Sequence, residues 1–216
     1  MPLASSKTRY ERNGLTVPWI TTWSPEKMTI PPVTLRRDAR GSHLGYEQET
    51  LYDRDTNGVL WVRQGLARGK GDPDFPAVHA LRQRRAMLDM LCQVCGGSTL
   101  EEHFERQLYI ARSLDGLNIQ ESERTSAPPV CTSCAPEAVV SCPRLKGRYV
   151  AAWVTHSIPW GVMGIVHNQW TLERTSQGAE EVAYTDPRIR WTVAVRTVNC
   201  LYGCTPVQVG NLHLAL

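Results

Sequence analysis

Apolar positions along the chain change period several times, and each change marks an expected element. Tyr46 to Tyr52 carries strand formers, and Val59-Leu60-Trp61-Val62 returns after Asn57-Gly58, so residues 46–63 predict a β-hairpin. Gly65 to Asp74 is glycine-rich and predicts a loop. Val78, Leu81, Leu88 and Leu91 recur at helical spacing, which predicts a helix over 75–91 with Asp74 as its cap. Residues 98–112 suit helix in their first half and strand around Leu108-Tyr109-Ile110. Residues 115–129 are polar and predict a loop, and Ala135 to Cys142 predicts a short helix with Pro136 at its start.

Two apolar runs follow, 149–154 and 160–166, split by Pro159. Gly161 and Gly164 suit a strand better than a helix, so both runs predict buried strands of one sheet. Near the C-terminus, Trp191, Ala194, Val195, Val198, Leu201 and Tyr202 fit a helix over 187–202, capped by Asp186 and ended by Gly203. Alternation of Ile189, Trp191, Val193 and Val195 is the rival strand reading, and the longer helical match is preferred. The sum is an α+β fold. A hairpin and helix lead into a cysteine-bearing subdomain, then a sheet over 149–182 with a C-terminal helix packed on it. The expected divisions are an arm at 1–42, the hairpin and helix at 43–91, the cysteine subdomain at 92–142, and the sheet with its helix at 143–216. Residues 43–216 are expected to form one compact unit. The arm holds five prolines but also Trp19, Ile20, Trp23 and Ile30, so it predicts an extended segment docked on the body or on a partner.

Composition narrows this only slightly. Hydrophobic residues are 42% and charged residues 21% of 216, which excludes a wholly disordered chain. No run approaches the roughly 18 apolar residues of a membrane span. The net charge of +3 comes from 24 basic and 21 acidic residues of interspersed sign, so nucleic-acid contact would need a local patch. The N-terminus shows no apolar signal-peptide core, and a cytoplasmic location is the expectation. In a reducing compartment, seven cysteines argue for metal binding or free thiols over disulfides.

The cysteines are the one strong chemical signal. Cys92-Gln93-Val94-Cys95-Gly96-Gly97 and Cys131-Thr132-Ser133-Cys134 are two knuckles. A two-residue spacer lets both thiolates of a knuckle face one ion, and four soft ligands in a tetrahedron select zinc. Four thiolates leave no open coordination position, so one structural Zn2+ is expected at Cys92, Cys95, Cys131 and Cys134. Cys142, Cys200 and Cys204 are expected to be buried or inert thiols. The arrangement over 92–142 resembles a treble-clef zinc domain, in which the second knuckle opens a helix, as Cys131 and Cys134 do ahead of Pro136. It is also similar to the zinc-bearing HNH nucleases, which need an Asp-His pair, a second His or Asn, and a catalytic divalent ion. Here only His103 and Asn118 fall between the knuckles, and the Asp-His dipeptide is missing. The chain as a whole resembles uncharacterised actinobacterial zinc-knuckle proteins, a likeness that implies no activity.

No phosphate-binding glycine loop, dinucleotide fingerprint or nucleophile elbow is present in the sequence. His156 and His167 flank the apolar strands and are expected to be strand-end residues, though with Cys142 they would form a pocket if they converged. The best nucleic-acid candidates are Arg82, Arg84 and Arg85 on the expected helix, together with Arg36, Arg37 and Arg40. Closed ligation, an incomplete catalytic set and a basic helix favour a zinc-stabilised, non-enzymatic binding protein, with nucleic acid as its ligand. The alternatives are a protein-interaction or assembly component that uses residues 1–42, and a divergent HNH-type nuclease.

Overall fold

A computed structural model describes residues 9–100, 105–113 and 115–214. The class is α+β, with two helices and many strands in small sheets among the described residues. The N-terminal region is more structured than an arm. β1 (Tyr10–Arg12) and β2 (Leu15–Val17) form a hairpin closed by Asn13-Gly14, both at positive φ. β3 (Thr21–Trp23), β4 (Met28–Thr29), β5 (Val33–Asp38) and β6 (Gly41–Tyr46) follow. The expected hairpin over 46–63 is displaced: the real one is β5–β6, paired from Val33↔Tyr46 to Asp38↔Gly41. Asn57-Gly58 does make a tight turn, held by the Asp55 side chain, which accepts the N–H groups of Asn57 and Val59. That turn leads into β7 (Leu60–Trp61), which runs parallel to a distant strand.

β8 (Arg63–Gln64) pairs with β4, and β9 (Pro73–Val78) pairs with β3. The helix expected over 75–91 is therefore shorter. α1 spans Ala80–Leu88, and its cap is His79, whose ring accepts the Arg82 N–H at 3.4 Å. Its buried face is also not the expected one. Ala80, Arg82, Gln83, Ala86 and Met87 point inward, while Leu88 is exposed.

β10 (Gln107–Arg112), β11 (Arg124–Thr125), α2 (Ala135–Ser141), β12 (Tyr149–Val166), β13 (Glu180–Ala183) and β14 (Thr192–Val207) complete the chain. The central sheet runs β10-β12-β14-β11, with β13 also on β12 and β7 on β14. The C-terminal helix expected over 187–202 does not form. Residues 187–191 make a 3-10 turn capped by Asp186, and β14 begins at Thr192. The two runs split by Pro159 are one 18-residue strand, β12, with register shifts at Pro159/Gly161 and Met163/Gly164. Gly161 lies so close to β13 that a Cβ would meet the Val182 carbonyl and Ala183.

Both faces of the long β12–β14 pair are covered near its two ends, while Thr155, His156 and Ile158 in the middle of β12 stay exposed. Near one end, Leu108, Ile110, Ala151 and Trp153 pack with the cysteine module, while Tyr109, Ala152, Val154 and Leu201 pack around Ile119. Near the other, Val162 and Ala194 meet Val59 and Trp61, and Val193 meets Leu44, Tyr46 and Leu60. The outer edge of β14 carries β7 at 193–194 and β11 at 199–200. In the gap between them, the Gln83 carboxamide accepts the Thr197 N–H and donates to its carbonyl, both at 2.9 Å, so a helix side chain stands in for a strand.

Candidate metal centre

The first knuckle is a turn made by its own backbone. Cys92 N–H donates to Gly97 O and Gly96 N–H donates to Cys92 O, both at 2.7 Å. Gly96 sits at φ +72° with the Trp19 ring packed against it, so a Cβ there would be strained and would strike the indole. Trp19 N–H donates to Val94 O at 2.9 Å, which ties the N-terminal region to the knuckle. The second knuckle opens α2: the N–H groups of Cys134 and Ala135 both donate to Cys131 O, and Pro136 occupies the first turn. Gln93 joins the two halves, since its N–H donates to Pro129 O and its side-chain amide to Pro128 O. Val130 N–H donates to Leu108 O at 2.8 Å, fixing the second knuckle to the sheet.

These contacts bring four cysteines separated by up to 42 positions into one cluster. The Sγ atoms of Cys92, Cys95, Cys131 and Cys134 all lie within 4.8 Å of one another, and those of Cys95 and Cys131 are 3.8 Å apart. A tetrahedral zinc with about 2.3 Å bonds has sulfur–sulfur edges of about 3.8 Å, so the donor set fits such an ion. Val94 N–H donates to Cys92 Sγ and Gly97 N–H to Cys95 Sγ, each at 3.4 Å. Such N–H···S bonds spread the charge of a thiolate. From outside the module, Arg9 Nη2 donates to Cys134 Sγ at 3.0 Å, and its Nη1 lies 3.7 Å from Glu137. Mutual hydrogen bonding splits the thiols: Cys95 is held far below the usual range, chiefly by Cys131, while Cys92 is pushed far above it by the same neighbour. A cation can displace the remaining protons, so its binding is expected to release them.

The other cysteines lie apart from this cluster. Cys200 and Cys204 donate weakly to the carbonyls of Ser122 and Gln120 at 3.7 Å. Burial, with Glu121 beside it, pushes the Cys204 thiol up to about 11, which suits an inert group. Cys142 is the C-cap of α2 and lines a cavity, but neither His156 nor His167 joins it there. His156 is exposed on β12 opposite Tyr202, whereas His167 is buried past the strand's end, with its Nδ1 3.1 Å from Ile165 O. Eleven residues of extended chain separate the two, on the order of 30 Å. His103 lies outside the described residues, and Asn118 is exposed.

The six candidate arginines do not form one surface. Arg82 is buried in a bidentate ion pair with Glu26 at 2.6 and 2.8 Å and also donates to Thr21 O. It is therefore removed from any ligand-facing role. Arg84 stacks over Trp61 at 4.7 Å, and Arg85 is exposed beside Asp89 at 3.3 Å. On the β5–β6 hairpin, Arg36 turns back onto the carbonyls of Tyr46 and Glu47. Arg37 and Arg40 remain in solvent, with Arg40 3.9 Å from Asp38. Glu26, His79 and Gln83, polar residues buried completely, carried no sequence signal. Each acts on groups far along the chain.

Searches against protein-family models, curated proteins and solved structures find no match. Among the described residues, no helix is long and apolar enough to cross a membrane.

Proposed function

We propose that Cys92, Cys95, Cys131 and Cys134 hold one structural zinc, and that the chain is a non-enzymatic binding protein built around it. The observation that carries this reading is the closed cluster of four sulfurs. A four-thiolate zinc has no position left for water or substrate, so its contribution is to folding. The start of α2 directly after Cys134 supports the treble-clef likeness of this module. Native mass spectrometry of protein purified without added metal tests the proposal. One zinc per chain is the expected result, and metal-free folded protein would overturn it.

For the ligand, nucleic acid is proposed through the tip of the β5–β6 hairpin. Arg37 and Arg40 are the candidate cations that stay exposed there, and exposed guanidinium groups suit phosphate. Replacing both with alanine is expected to weaken gel retardation of DNA or RNA. It should also lower the slope of log affinity against log salt by about 2. Arg82→Ala is not an informative control, because that residue holds the fold. No retardation at low salt would remove nucleic acid from the proposal and leave the zinc centre untouched. The rival reading, in which residues 1–42 reach a protein partner, loses its motive. Ile20 is 7% exposed and Trp23 2% exposed, both spent on the chain's own body.

A further inference from the structure

A cavity of about 440 Å³ opens beside the metal centre. Its walls come from four places that the fold brings together: Leu15 on β2, Phe75 on β9, Val94 in the first knuckle, and Ala138 with Leu145 around α2. The lining is dominated by carbon. Pro18, Pro76 and Pro143 also face it, and their fixed backbone angles limit collapse of the empty space. The volume lies within the roughly 300–1,000 Å³ range of small-molecule sites. At about 30 Å³ for a water-sized group, it holds roughly twelve to fifteen heavy atoms.

The polar groups in the wall are unequal. Glu137 is turned toward Arg9 at 3.7 Å, so its charge is already answered. Arg144 is exposed in the wall and has no anionic partner among the described residues. Arg196 lies near enough to Arg144 for the two cations to repel, so the local field is positive. An apolar chamber with an unanswered guanidinium in its wall suits an apolar chain that ends in a carboxylate. We propose that this cavity is a binding site for a free medium-chain monocarboxylic acid, with its hydrocarbon inside and its carboxylate on Arg144. Cys142, also in the wall, becomes a reporter of occupancy. The proposal rests on a loaded metal centre, because the first knuckle supplies Gln93 and Val94 to the wall and α2, which the second knuckle opens, supplies Glu137 and Ala138, but it is independent of nucleic-acid binding.

The test is calorimetric titration of the full chain with octanoate, decanoate and decyltrimethylammonium, on samples whose zinc content is measured in parallel. Decanoate should bind once per chain and about fifteenfold more tightly than octanoate, from roughly fourfold per buried methylene. The cationic analogue should fail to bind. Arg144→Glu, a surface change that leaves the core intact, should weaken decanoate at least tenfold. Saturating decanoate should also slow alkylation of Cys142 by iodoacetamide, read by peptide mass. Zinc-loaded protein that ignores decanoate, binds it regardless of chain length, or binds it equally in Arg144→Glu would overturn the site while leaving the metal centre standing. A dimer that decanoate dissociates would instead place a second copy of the chain in the cavity, and would equally overturn it.

Discussion

Glu26 and Arg82 show how one buried pair decides what neighbouring residues are for. Burial pushes the Glu26 carboxyl up. The Arg82 guanidinium and the N–H groups of Ala67 and Trp23 outweigh that and hold it below the usual range. The pair therefore joins the N-terminal region, the 65–71 loop and α1 at one point. Glu26→Gln would leave a buried guanidinium without its counter-charge and is expected to cost about 3–5 kcal/mol in urea unfolding. Arg85→Ala, three residues further on and in solvent, should stay within about 0.5 kcal/mol. Equal effects of the two substitutions would contradict the placement of Arg82. Asp53 makes a comparable point about pH. Arg63, followed by the Thr50 N–H and hydroxyl, holds its carboxyl down to about 2. Its unfolded value is about 3.9, so the native state favours the charged form. That stability is complete above about pH 4 and is lost as pH falls toward 2. It amounts to about 1–2 kcal/mol, because Arg63 is partly screened by solvent. Asp53→Asn should remove this step from an acid titration of unfolding. An unchanged acid limb would show that the pair contributes nothing.

At the scale of elements, legibility followed the range of the interactions. The short helix at 135–141 and the two knuckles were legible because their signals are local: Pro136 in a first turn, two-residue spacers, and a glycine after the second cysteine. β14 was misread because both its faces are covered. A strand buried on both sides shows no alternation, and Trp191, Ala194, Val195 and Val198 then satisfy a helical period by accident. The contrary signal was its β-branched content, with Thr192, Val193, Val195, Thr197 and Val198 within seven residues. In α1, Gln83 faces inward because the open edge of β14 needs a donor and an acceptor, and no periodicity of α1 can announce that need. The glycines of β12 were legible as strand features, and the structure supplies their reason in the close approach of β13 to Gly161 and of β14 to Gly164. Gly161→Val would drive its side chain into the Val182 carbonyl. A loss of about 1–3 kcal/mol in unfolding free energy by urea titration is expected, whereas the same change at exposed Gly178, where nothing lies within 4 Å, should cost far less.

The whole molecule depends on the metal centre in a way its sheet alone does not suggest. The cluster of four sulfurs draws on residues 92–95 and 131–134, and the chain between them includes β10 and β11, both members of the central sheet. Trp153 and Ala151 of β12 pack against the same module, so the ion would close a loop that the sheet also closes. Without a cation, four thiols and the inward face of α2 would share a buried space with little to hold them, and Arg9 would lose the charge it faces. Chelation at neutral pH is therefore expected to do more than fray a surface module. It should lower the thermal midpoint by well over 10 °C, given about 2–4 °C per kcal/mol for a chain of this size and a binding free energy on the order of 10 kcal/mol. Acidification below pH 6 in the presence of zinc should produce the same loss, because protons compete for the thiolates. Re-addition of zinc at neutral pH should restore it. A melting curve indifferent to chelator would mean that the central sheet stands alone, with the cysteine cluster serving only as a surface fastening.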